Sequence, residues 1–248
     1  MIHVGTSGYS YPEWRGTFYP ERFPPARMLP FYAERFGTVE LNNTFYRMPT
    51  PKTIAAWDQE TPAGFRFALK VPQRITHFAR LRDIGDSLRF LLDTVAGLGA
   101  KLGPLLLQLP PNFRKDVGRL DDCLALVPPS VRIAAEFRHA SWLDEEVYAA
   151  LGARNAALCL ADTEESTTPD VVTADFGYLR LRDRAYTPDE LAQWARRAAR
   201  PEWRDAFVYF KHEESGTGPA LARELLGVLV ANTSASTDSG ATSDPVAD

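Results

Sequence analysis

Eight short β-type runs, parted by connections long enough for helices, set the rhythm of this chain. They read IHVGT at 2–6, TVELN at 38–42, FRFALK at 65–70, PLLLQL at 104–109, RIAAEF at 132–137, AALCLA at 156–161, YLRLR at 178–182 and FVYFK at 207–211. Between most of them, apolar residues recur at helical spacing. Met28, Leu29, Phe31, Tyr32 and Phe36 do so in 28–36, and Ile84, Leu88, Leu91, Leu92 and Val95 in 84–99. Further helices are predicted at 51–59, where Pro51 suits a first turn, and near 118–127, 143–152, 188–199 and 219–230. The connection 162–176 is polar and is predicted to hold a short helix or none. Eight strands, each followed by a crossover in about 230 residues, predict an α/β chain folded as a (β/α)8 TIM barrel. The alternative is an open doubly wound sheet. GTSG at 5–8 invites it, but no GxGxxG follows the first strand.

The segment 231–248, ANTSASTDSGATSDPVAD, is rich in Ser, Thr, Ala and Asp and lacks aromatics. It buries too little to offset its ordering entropy, so the predicted domain is 1–230 and 231–248 is predicted to be a disordered tail. With 28 Lys and Arg against 32 Asp and Glu, the net charge of −4 carries no basic stripe for bulk attraction to nucleic acid. Cys123 and Cys159 lack CxxC spacing and read as reduced, buried thiols, which predicts a cytoplasmic setting. MIHVGTSGYS has neither a basic nor an apolar leader region, and no apolar run reaches the roughly 20 residues of a membrane span.

Side chains alternate faces along a strand. In a barrel the helix-facing positions are apolar, so polar positions mark the interior face and belong near the wet C-terminal mouth. This parity places Glu40 and Asn42 opposite Val39 and Leu41, and Arg66 and Lys70 opposite Phe67 and Leu69. Gln108 shares a face with Leu106, and Glu136 with Ala134. Arg180 and Arg182 oppose Leu179 and Leu181, and Lys211 opposes Phe210. Asp162 follows the sixth run in the same sense. Two readings compete: a ligand site at the mouth, or an internal ion-pair network in which Lys70 and Arg182 neutralise Glu40 and Glu136.

The mouth therefore gathers Glu40, Glu136 and Asp162 with Lys70, Arg180 or Arg182, and Lys211. That mixture suits a small polar or anionic ligand and proton transfer. The eighth loop, HEESGTGPALA, offers glycines and a helix start that either binds an anion or is an ordinary capped terminus. The first loop, 7–25, carries Tyr9, Tyr11, Trp14, Phe18, Tyr19 and Phe23, as an aromatic lid or as a small core of its own. His3 belongs to the strand bottom, whereas His77, His139 and His212 lie in loops that reach the mouth. No HxH or HExxH spacing is present, so no metal ligand and no cofactor is predicted.

Five segments, GTSGYSYPEW, VELNNTFYRMP, FRFALKVPQRITH, LGPLLLQLPPNF and AAEFRHASW, together resemble the YecE-like family, domain-of-unknown-function family 72, in order over about residues 2–229. The resemblance implies a TIM barrel of bacterial or archaeal type, cytoplasmic, with no settled activity. It carries over Gly5, Ser7, Tyr9, Trp14, Glu40, Asn42, Thr44, Phe45, Tyr46, Lys70, Pro72, His77, Gln108, Pro110, Glu136, Arg138 and Trp142. One departure is visible: many members end strand eight in an Asn pair, where this chain has Lys211 and His212.

The leading expectation is an enzyme with a metal-independent acid/base site, with Glu40 and Glu136 exchanging protons and Lys70, Arg182 and Lys211 stabilising an anion. Tyr9, Trp14, Asn42, Tyr46, His77, Gln108, Arg138, Trp142 and Asp162 complete the candidate ligand contacts. The two glutamates should face each other across roughly 6–10 Å, a gap that suits an intervening water. A metal-dependent phosphoester or nucleic-acid-processing enzyme is the second reading, and a non-catalytic ligand-binding protein the third.

Overall fold

The computed structural model describes residues 1–163, 167–183 and 185–238, with side chains to Asn232. The strands are β1 (Ile2–Ser7), β2 (Thr38–Leu41), β3 (Arg66–Lys70), β4 (Leu102–Gln108), β5 (Ile133–Glu136), β6 (Ala157–Asp162), β7 (Phe176–Leu181) and β8 (Asp205–Phe210). All are parallel and close in sequence order, β8 pairing back onto β1. The helices are α1 (Met28–Ala33), α2 (Pro51–Gln59), α3 (Gly85–Val95), α4 (Val117–Ala125), α5 (Glu145–Ala153), α6 (Pro188–Ala198) and α7 (Thr217–Asp238). The chain is a (β/α)8 barrel, and no helix separates β6 from β7 among the described residues. α7 continues past residue 230, so 231–238 is helical where the composition predicts disorder; 239–248 lie outside the described residues.

Local chemistry explains the helix starts. Thr187 and Glu190 form a reciprocal capping box around Pro188, and Thr50, Asp116 and Asp144 each accept an N–H of the first turn. Gly216 turns at φ +75° ahead of α7, in the left-handed region that Gly enters without strain.

Strand parity builds two cores. Val39, Leu41, Phe67, Leu69, Leu105, Leu107, Ala135, Leu179, Leu181, Val208 and Phe210 pack outward under the helices. Ala68, Leu106, Ala134, Ala157, Cys159, Phe176, Tyr178, Phe207 and Tyr209 fill the barrel as a separate cluster. The filling is layered. At the N-terminal end, His3 stacks on Phe207 at 4.7 Å, and Asp205 accepts from Arg132 at 2.7 Å. Mid-barrel, Tyr209 and Thr38 share a hydrogen bond of 2.7 Å. Both cysteines are free and buried. Among the described residues no helix is long and apolar enough to cross a membrane.

Candidate functional site

The C-terminal layer of the barrel is ionic and buried. Glu40, on β2, accepts from the Tyr178 phenol at 2.6 Å, from Arg180 Nη2 at 2.9 Å and from the Ser7 hydroxyl. Glu136, on β5, accepts from Gln108 Nε2 at 2.7 Å, Arg138 Nε at 3.2 Å and Arg180 Nη1. Register explains the meeting: Ser7 lies level with Glu40 on neighbouring strands, and Gln108 level with Glu136. Arg180 enters from β7 between the two acids. The space expected to hold a water therefore holds a guanidinium, and neither lysine nor Arg182 is the main counter-charge. Ser7, Glu40, Gln108, Glu136, Tyr178 and Arg180 are all buried.

Burial by itself raises a carboxylate's pKa, yet here it is outweighed. The Arg180 and Arg138 guanidiniums and the Gln108 amide hold Glu136 at about 2. Arg180, Ser7 and Tyr178 likewise hold Glu40 below its ordinary value. In both glutamates the guanidinium and hydrogen-bond donors favour the anion over the cost of burial. Proton exchange by either glutamate, the role expected from their positions, competes with these bonds.

Above this layer stand cations. Lys70 ends β3, half-buried, its Nζ over the Phe45 ring at 3.9 Å. Arg138 is 34% exposed, Arg182 25% and Lys211 31%. Arg182 Nη1 stands 3.7 Å from Glu136, and Lys211 Nζ 4.0 Å from the exposed Glu213. Among the described residues, Arg138, Arg180, Arg182, Lys70 and Lys211 outnumber the two buried carboxylates Glu40 and Glu136. Burial, then repulsion by Arg180 and Arg138, lowers Lys70 to about 8. A cation–π contact favours the ammonium by about 0.5–2 kcal/mol, so desolvation and like charge overcome it. The same causes lower Lys211, with Arg180 and Arg182 as its repelling neighbours. Burial, Lys70 and Arg138 lower His77.

The rim is aromatic on one side. Phe45 meets Tyr46 at 5.0 Å and His77 at 4.8 Å, and Tyr46 and Phe78 are exposed. His77 belongs to a π-helical turn, Arg74–Phe78, a local irregularity common near functional sites. Asn42 is half-buried after β2, and its Nδ2 is one of three buried side-chain nitrogens without a hydrogen-bond partner among the described residues, with Arg180 Nε and His212 Nδ1.

Other expected contacts lie elsewhere. Asp162 falls on the outward face of β6 and accepts from Thr167 at 2.8 Å and Tyr186 at 3.0 Å, so it pins loops. Trp142 is fully buried, stacked on Phe137 at 4.9 Å and donating to the Phe113 carbonyl at 2.7 Å. Trp14 is also fully buried, tying the first loop to the eighth through the Glu213 carbonyl at 3.1 Å. Tyr9 lies against Tyr32 in the outer core, at 6.1 Å. The first loop is thus chiefly a small core: Phe18 and Tyr19 pack against Phe31 at 5.6 and 5.3 Å. Gln108 bonds Glu136 and has no exposed face to offer a ligand. His139 caps the short turn at Ala140–Trp142. Arg180 is the residue that parity brings inward but that Arg182, one step nearer the mouth, displaces in a reading by sequence position alone.

A profile for "Protein of unknown function DUF72" matches residues 3–244. The chain belongs to the DUF72 family. It is 31% identical over 140 residues to UPF0759 protein YecE of Escherichia coli K12, a match covering 56% of this chain and 49% of that one. It is 29% identical over 157 residues to UPF0759 protein YunF of Bacillus subtilis 168, covering 60% and 54%. The matches thus span about half the length of these curated relatives. A crystal structure of a DUF72 family protein from Thermotoga maritima superposes with a TM-score of 0.84 at 25% identity, over 93% of this chain and 99% of that one. One from Enterococcus faecalis gives 0.78 at 20% identity, over 93% and 96%, a likeness of fold.

Proposed function

We propose that this DUF72 protein is an enzyme whose barrel mouth binds a small anionic ligand and exchanges protons with it through Lys70, without a metal. The supporting observation is the ionic layer: Arg180 bridges the two buried carboxylates, and Lys70, Arg138, Arg182 and Lys211 stand partly exposed above it. Half-buried guanidiniums bind carboxylate or phosphate in a fork, and a low-dielectric rim strengthens that attraction. An amine at about 8 is populated in both protonation states near neutral pH, as acid/base work requires. Glu40 and Glu136 hold the guanidinium that tunes it.

The donor set argues against a divalent cation between the two buried glutamates, since Glu40 and Glu136 already have guanidinium partners. Among the described residues no group of three or more His, Cys, Asp or Glu converges. A neutral sugar, in turn, needs none of this positive charge.

The test is a thermal-shift panel of inorganic phosphate, citrate, sugar phosphates, oligonucleotides and neutral sugars. An anion at a hundredfold excess over its Kd stabilises by about 2.7 kcal/mol, or roughly 5–10 °C for a chain of this size. Lys70→Met and Arg182→Met should each reduce the shift, and added salt should shrink it. Equal shifts with neutral sugars, or none with any anion, refute the reading. A chelator-sensitive shift points instead to metal-dependent phosphoester chemistry.

A further inference from the structure

We propose that Lys70 is a nucleophile that captures the carbonyl carbon of an anionic carbonyl compound as an imine. The inference rests on the anion-binding reading and goes further by naming the substrate class and a covalent step.

Lys70 differs from every other lysine of the chain. Lys101 pairs with Asp58 at 3.0 Å, and Lys115 with Asp144 at 3.2 Å and Glu146 at 3.1 Å. Lys211 has Glu213 at 4.0 Å, and Lys52 is exposed on α2. Lys70 is half-buried on the inward face of β3 with no carboxylate partner among the described residues; its close contact is the Phe45 ring. An ammonium placed among guanidiniums and out of bulk water sheds its proton readily, which is how amines become nucleophiles in imine-forming sites. The direction of its titration agrees with that placement.

The same cations choose the electrophile. Arg138, Arg182 and Lys211 can hold a carboxylate or phosphate while the carbonyl meets Nζ. Phe45, with Tyr46 and His77 packed against it, lies beside Nζ itself. In the step itself the neutral amine adds to the carbonyl carbon, forming a C–N bond and a carbinolamine. The carbonyl oxygen then departs as water, taking one proton from the amine and one from solvent, and leaves a protonated imine. No oxidant or reductant is consumed.

Full-length protein is incubated at pH 8 with sodium cyanoborohydride and pyruvate, dihydroxyacetone phosphate or neutral acetone, and peptides are mapped by mass spectrometry. The two anionic probes distinguish carboxylate from phosphate recognition. The expected result is a reduced adduct on Lys70, at least tenfold above the other four lysines together and at least tenfold above the acetone reaction. Lys70→Arg, which keeps the charge, should abolish it. Phosphate binding by calorimetry is measured in parallel. Phosphate binding without an adduct, or an adduct spread over the lysines or surviving in Lys70→Arg, overturns the nucleophile and leaves the anion site standing. Absence of both overturns the two readings together.

Discussion

Arg180→Leu removes one guanidinium and strips two buried carboxylates at once. Glu40 loses its ion-pair partner, and Glu136 retains Arg138 at 3.2 Å and the more distant Arg182. Breaking one buried pair typically costs 3–5 kcal/mol, about; sharing one cation between two acids puts the expected loss at or above that range. For a chain of this length it lowers Tm by roughly 6–20 °C. The pH dependence has a definite sign. In the native protein Glu136 sits at about 2 against an ordinary 4.5. Its folded pKa is depressed, so its contribution, about 3 kcal/mol, is complete above the ordinary value and is lost as pH falls toward 2. In Arg180→Leu, burial dominates and Glu40 takes up a proton in the folded state more readily than in the unfolded chain. The variant then gains on acidification from pH 7.5 to 5, while the native protein does not. Urea denaturation of both proteins at the two pH values measures the gap. A gap below about 1 kcal/mol at pH 7.5, or one that fails to narrow at pH 5, refutes the network described for this layer. Where the single variant does not fold, Glu40→Gln with Glu136→Gln and Arg180→Met supplies the control: an uncharged layer should recover most of the loss.

Other outcomes follow from the same structure. Lys70→Met should stabilise the fold at pH 7 by about 1–3 kcal/mol, because a lysine whose folded pKa is lowered opposes folding until it is neutral; the gain in denaturation midpoint should vanish by about pH 10.5. Trp142→Ala should cost about 3–5 kcal/mol in denaturation, yet change phosphate affinity less than threefold, because the ring lies under the loop rather than in the mouth. Gly177→Ala should cost about 1–3 kcal/mol, since a Cβ there enters the Trp203 ring; an unchanged Tm speaks against that packing.

Direction was legible in the sequence, and depth was not. The alternation in TVELN and YLRLR assigns faces because one face is charged and the other apolar, and both assignments hold in the barrel. How far down each side chain sits depends on the stagger between strands, which alternation does not encode. Glu40 lies level with Ser7 and Ala68, whereas Arg180 lies level with Tyr209. Arg180 thus reaches Glu40 and Glu136 while Arg182 stays at the rim. AALCLAD offers no contrast at all: Leu158 and Leu160 face out, Ala157 and Cys159 face in, and every one is apolar. With no polar face to set the phase, position at the strand end alone points Asp162 inward, whereas it shares the outward face of Leu158 and Leu160. Loop aromatics were ambiguous for another reason. Indoles such as Trp14 and Trp142 bury equally well against a ligand or against their own loop, and only the carbonyls they bond decide between the two.

The three-residue layer also gives substitution a preferred order. Losing Glu40 or Glu136 first leaves Arg180 with one acid still bonded, a weakened but occupied arrangement. Losing Arg180 first leaves Glu40 without its cation and Glu136 with Arg138 and the more distant Arg182. A lineage leaving this arrangement would therefore cross the lower pass by giving up its acids before its arginine, and one entering it would acquire the arginine before the second acid. Positions 40, 136 and 180 are bonded as one unit, although they lie on three strands and 140 residues of chain separate the first from the last.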